Sequence, residues 1–193
     1  MTQKNRQLKE IIIKINDLIY PLGFKRLRHN WNRHRGNLVD VINVQKSQFD
    51  NIFTINIGLI DKTVHNIMWN ERDREFFSHV EGPVYMRAGD LVSDYDVWWR
   101  IDGDSIIEPM TILESRIVPF FNEFHSINEL WQYMDLNRLR IKYSPDAILN
   151  FSIISYMIGK KADYEEFIQF ARNFKSDGWR EKTPKIEAEL RNL

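Results

Sequence analysis

The sequence contains no cysteine. That absence excludes disulfides, a thiol nucleophile and cysteine-based zinc sites together, and it fits a reducing compartment. Long apolar runs are missing too. The early run Ile11 to Ile13 is broken by Lys14, unlike a secretory signal. Phe151 to Ile158 carries two serines and is too short to cross a bilayer. There is no excess of either charge, since 27 basic residues balance 27 acidic ones. A general nucleic-acid binder usually carries a basic excess. No nucleophile elbow, phosphate loop or dinucleotide fingerprint occurs, and the five histidines form no metal-binding pair. These absences predict a soluble cytoplasmic protein with no cofactor and no membrane segment.

What is present is enough for a core. Hydrophobic residues make up 43% of 193 residues, with 12 Phe, 7 Tyr and 6 Trp. Such a chain makes one large domain, or one domain with a helical appendage. Its charges are segregated. Residues 1–40 hold nine Lys/Arg against three Asp/Glu, and residues 71–108 hold four against ten. Either the two segments neutralise each other in the fold, or they leave a dipolar surface that steers a charged partner.

Residues 3–20 place Leu8, Ile11, Ile12, Ile15, Leu18 and Ile19 at helical spacing, and Pro21 and Gly23 end that helix. Residues 25–33 alternate, with Leu27, His29 and Trp31 opposite Arg26, Arg28 and Asn30, which predicts one half-buried strand. Gly36-Asn37 is a type II′ hairpin turn into a central strand over 38–46. After Asp50-Asn51, residues Phe53, Ile55, Ile57 and Leu59 face a core from a third strand. Residues 61–82 read as a loop with a helical turn. Short strands follow over 83–88 and 97–101. From Ser105 the period is helical, interrupted by Pro109 and Pro119. Ser126 to Glu129 forms a capping box, Ser144-Pro145 opens another helix, Lys161 to Lys175 supplies its antiparallel neighbour, and Thr183-Pro184 starts a short final one. The expected fold class is α+β: an N-terminal helix on a five-stranded, mainly antiparallel sheet, then C-terminal helices. The expected division is 1–104 and 105–193, integrated as one compact unit.

Several residues carry a family resemblance. They are Gly23-Phe24 before a strand, Trp31 followed by Arg33, Gln45-Lys46-Ser47, the run Phe53 to Gly58, and the pair Trp98-Trp99. In this order and spacing, residues 1–105 resemble the bacterial domain of unknown function 4304 family. The resemblance implies an α+β fold with a mostly antiparallel sheet and no described catalytic residues. Small families of this kind are sometimes encoded beside toxins as immunity partners, an association rather than a property of these residues.

Three constellations carry the candidate chemistry. On a strand, Trp98 and Trp99 must face opposite ways. Either helices bury both, or Trp98, with Arg100 and Asp102 on its own face, anchors a partner. Asn43, Gln45, Thr54, Asn56, Arg26 and Arg28, joined by Arg87, form either a solvated sheet face or a hydrogen-bonding floor. Asp90, Asp94, Asp96, Asp102, Asp104 and Glu108 offer carboxylates for a divalent ion, yet they lack calcium-loop spacing and a neighbouring Glu-x-Lys. No metal site is assigned. The binding candidates are therefore Trp98, Arg100, Arg87, Asp94, Gln45 and Asn56, with no catalytic residue. The expected function is a non-catalytic protein-interaction module, of the kind that includes immunity-type inhibitors of toxins, with a protein partner. The alternatives are a small metal-dependent hydrolase of a phosphate-containing substrate, and a single-stranded nucleic-acid binder using residues 25–35. No sequence pattern fixes an oligomeric state.

Overall fold

The structure is a computed structural model. It describes residues 3–93, 95–102 and 106–193, with side chains from Arg6 onward. An N-terminal helix, an antiparallel sheet and C-terminal helices give the expected α+β class. The chain divides into two compact units. The first comprises Met1–Leu59, Phe76–Glu81 and Tyr85–Glu123; the second comprises Ile60–Glu75, Gly82–Val84 and Phe124–Leu193.

In the first unit, helix α1 (Gln3–Ile19) buries Leu8, Ile11, Ile12, Ile15 and Ile19. This is the stripe that its 3.6-residue period dictates. Gly23 ends the following turn at φ 92°, a value that favours glycine. The sheet runs in the order β1 (Lys25–Leu27), β2 (Asn30–Arg35), β3 (Leu38–Lys46), β4 (Ile52–Asp61) and β5 (Val84–Arg87). A two-residue strand, β6 (Trp99–Arg100), also pairs with β4.

The single strand expected over residues 25–33 is instead a hairpin. Leu27 lies opposite Asn30, and Arg28-His29 makes a two-residue turn with Arg28 at φ 58°. The alternating pattern runs through the turn unbroken, which hides it. Arg26 consequently lies opposite Trp31 and shares its face, rather than the reverse face that one continuous strand implies. The next turn, Gly36-Asn37, falls where expected, with Gly36 at φ 62°.

One sheet face holds Trp31, which is fully buried and donates its Nε1–H to Asn16 Oδ1 at 3.1 Å. On the same face Asp40 is fully buried between two arginines. Arg33 Nε donates to Oδ2 at 2.6 Å, and Arg35 donates to Oδ2 at 2.8 Å and to Oδ1 at 2.6 Å. Arg35 also reaches the Phe121 carbonyl, and Arg33 reaches Asn122. Two of the five Lys/Arg residues at 25–35 are thus spent inside the fold. On the other face, Asn32 grips the Phe77 backbone at both N–H (2.6 Å) and C=O (3.2 Å). Gly58 admits the chain at His79 there: a Cβ on it would stand 2.4 Å from the His79 carbonyl oxygen.

The prolines after residue 105 do not stop the helix. α3 (Ile107–Ile112) continues through a π-helical segment, Leu113–Ile117, into α4 (Val118–Asn122). Pro119 has no N–H to give and its ring crowds the carbonyl four residues back, so a widened turn there accommodates it.

The second unit is helical. Residues read as a loop contain α2 (Lys62–Trp69), whose N-terminus is capped by Asp61 accepting from Thr63 and Val64 N–H. α5 (Ile127–Leu136) opens on the expected Ser126/Glu129 capping box, and α6 (Arg138–Ile141) follows. α7 (Pro145–Met157) starts at Pro145 as expected and packs antiparallel to α8 (Lys161–Arg172). The final helix begins earlier than Thr183-Pro184 implies. α9 (Asp177–Arg191) carries Pro184 inside it, and the Thr183 hydroxyl donates back to the Trp179 carbonyl. Among the described residues, no helix is long and apolar enough to cross a membrane.

Candidate functional site

The segment after β5 is folded tightly upon itself. Asp90 accepts from the Arg87 N–H at 2.9 Å, and Ser93 Oγ donates to the Tyr95 carbonyl at 2.9 Å. Gly89 lets this segment close, since a Cβ would meet the Tyr95 carbonyl oxygen at 2.7 Å. The Val97 carbonyl accepts from Thr54 Oγ1 at 2.9 Å, which ties the segment to β4. Pairing of β6 with β4 then sets the two tryptophans. Trp99 lies opposite Phe53, with ring centroids 5.7 Å apart, and is buried. Trp98, one residue earlier and outside β6, is half-buried.

Trp98 is nonetheless held. Its Nε1–H donates to Asp96 Oδ2 at 2.8 Å, the Arg87 guanidinium lies 5.1 Å from its ring centroid, and Arg87 pairs with the same Asp96. The carboxylate thus receives two donors, and the arginine both pairs and stacks. Asp96 binds at the centre of this group without having been among the binding candidates. Its spacing two residues before Trp98 was the signal that could have found it. Tyr85 and Tyr95 are exposed near it in the chain, and Phe49 at the β3–β4 turn is 93% exposed. An aromatic residue in an otherwise polar turn, Gln48-Phe49-Asp50, is a readable sign that sequence reasoning passed over.

The other candidates divide. Arg100 is exposed, with Asp102 at 3.7 Å. Asp94 lies outside the described residues, as does Asp104. Asn56 donates to Asn43 Oδ1 and Gln45 Oε1, both at 3.0 Å, and Asn43 donates to Asn30 Oδ1 at 2.8 Å. These amides form one ladder across β2, β3 and β4, so the sheet-face grouping of Asn43, Gln45 and Asn56 is real. No hydrogen bond among the described residues joins that ladder to Arg87 or Trp98. Arg26 and Arg28 lie away from it, at the β1–β2 hairpin.

Electrostatics add one feature. Burial lowers the His79 pKa below 6.5, with Glu81 opposing and Arg87 reinforcing. Among the described residues no group of three or more His, Asp or Glu could hold a metal ion. Asp90 and Asp96 are instead engaged by the backbone and side chain of Arg87. The arrangement presents an aromatic ring hydrogen-bonded and stacked against a partly exposed charge pair. It can take up another surface by stacking and hydrogen bonding.

The first unit is thus an antiparallel sheet framed by helices, with the half-buried Trp98 beside β6. A family model described as a domain of unknown function (DUF4304) matches residues 15–123. That is more than half of the chain, and the chain belongs to this family. The match ends at residue 123, where the first unit also ends. No curated protein and no solved structure matches the chain.

Proposed function

We propose that this chain is a non-catalytic bacterial protein-interaction module, of the type that works as an inhibitor of a partner such as a toxin. The observation that supports it is Trp98. The ring is half-exposed, yet its N–H and its face are already fixed by Asp96 and Arg87. A pre-ordered aromatic loses little entropy when a partner covers it, and Trp and Arg are the residues that most often dominate binding energy at protein interfaces.

The test is affinity purification of the tagged protein from its native cells, followed by titration of the recovered partner. Trp98→Ala is expected to keep the fold and to weaken the partner's binding at least about tenfold, the loss of one strong interface contact. Equal affinity of the folded variant would overturn the assignment of this face.

A further inference from the structure

Arg28 occupies a backbone position that disfavours it. It is the first central residue of the β1–β2 turn, at φ 58°; Gly36 fills the equivalent position of the β2–β3 turn, at φ 62°. A side chain in this left-handed region is strained, and such outliers concentrate at functional sites. The turn is pinned from below, where the His29 carbonyl accepts from the Val44 N–H at 2.9 Å.

Beside this turn runs a groove of about 600 Å³ between α1 and the hairpin. Leu8 and Ile12 line it and are nearly buried. Lys9, Arg26, Arg28 and His29 surround it, and among the described residues no acidic side chain lines it. One turn along α1 from Lys9, Ile13 is 45% exposed. Among the described residues, Lys9, Arg26 and Arg28 make no ion pair, whereas Arg33 and Arg35 on the next strand are committed to Asp40. The hairpin therefore separates the basic run into an internal pair, Arg33 and Arg35, and an outward remainder.

We propose that this groove binds an acidic, leucine-bearing segment of a partner protein. Carboxylates meet Lys9, Arg26 and Arg28, and aliphatic side chains lie along the stems of these basic residues and the small exposed part of Leu8 and Ile12. Charge complementarity supplies encounter and register. A nucleic-acid strand is the poorer fit, because Trp31, the ring within this basic run, is fully buried and offers no stacking platform. The groove is a second surface, separate from the Trp98 face, and its test needs no natural partner.

The experiment is fluorescence anisotropy with the full chain and a fluorescein-labelled Glu/Leu peptide at low salt. Oligo-dT and a Lys/Leu peptide serve as comparisons. Saturable binding of the acidic peptide is expected, weakening steeply with salt and falling at least about tenfold in Arg26→Glu/Arg28→Glu. Trp98→Ala should leave it unchanged, which separates this proposal from the preceding one. Arg28→Asn adds a sharper readout. Asparagine tolerates the left-handed backbone, so the variant should melt at a higher temperature yet bind the peptide more weakly. Undiminished peptide binding in the double variant, no saturable binding at low salt, or tighter binding of oligo-dT would each overturn the proposal. So would a lowered melting temperature for Arg28→Asn with unchanged affinity, since the arginine would then be structural.

Discussion

Arg35 grips both carboxylate oxygens of Asp40, through Nε at 2.8 Å and Nη2 at 2.6 Å, and Asp40 has no exposed surface. Arg33 adds a third donor to the same group. A carboxylate in this setting balances two guanidinium groups that are themselves mostly withdrawn from water. Removing it leaves them uncompensated. Asp40→Ala should therefore cost about 3–5 kcal/mol of folding free energy, measured by urea denaturation. A loss below about 1 kcal/mol would mean that the pair behaves as a surface salt bridge.

Adjacent tryptophans should behave in opposite ways. Trp99 is packed on Phe53 and buried, whereas Trp98 is half-exposed. Trp99→Ala is expected to destabilise by about 3–5 kcal/mol. Trp98→Ala should cost about 1 kcal/mol or less, mainly the ring's contact with Arg87. Thermal melts of the two variants make the comparison, and similar losses would place both rings in the core.

Gly58 is required by its neighbour rather than by its own backbone. A methyl group there would stand 2.4 Å from the His79 carbonyl oxygen and 2.7 Å from its Cα. Both are main-chain atoms, which cannot swing aside as a long side chain would. Gly58→Ala should cost about 2 kcal/mol or more by forcing the 76–81 segment off the sheet. Increased protease sensitivity of that segment would accompany the loss; unchanged stability and digestion would show that the strands yield instead.

Two histidines give the protein an acid-sensitive margin. Burial, and then Arg26, lowers the pKa of His29; burial also lowers that of His79, with Glu81 opposing and Arg87 adding. The folded state favours the neutral rings, so the unfolded chain takes up protons first as pH falls below 6.5. Stability is then full above that value and declines as pH drops toward the folded-state values. Urea midpoints between about pH 7.5 and about pH 5.5 should show this decline. His79→Gln should make it shallower, and an unaltered slope would remove His79 from the account.

Much of this architecture was legible where one period governs one element. The burial of Leu8, Ile11, Ile12, Ile15 and Ile19 follows from helical spacing alone. That one tryptophan of the pair is core follows from composition and pattern, but which ring goes inward depends on pairing of β6 with Ile52 and Phe53, far earlier in the sequence. The Arg28-His29 turn was hidden because neither residue is a usual turn former and polar-apolar alternation continues across it. Asn43, Gln45 and Asn56 could be grouped because β3 and β4 are long and regular. Asp96 carried one signal, its spacing two residues before Trp98, but its pairing with Arg87 is set by the folded loop at Gly89 and had none.

Lys182 sits on α9 with its ammonium 3.4 Å from the Trp69 ring centroid and 5.1 Å from that of Trp179. The two indoles meet edge to face at 6.3 Å. Burial pushes the lysine pKa down from 10.5 to about 8, with Asp146 opposing. Because the folded value lies below the unfolded one, the stability linked to this group is present above pH 10.5 and lost as pH falls to about 8. Loss of the ammonium charge also ends its attraction to the indole faces. Tryptophan fluorescence should therefore shift with pH around a midpoint of about 8, and Lys182→Met should abolish that transition. A midpoint near 10.5 would instead mean that the amine reaches water freely.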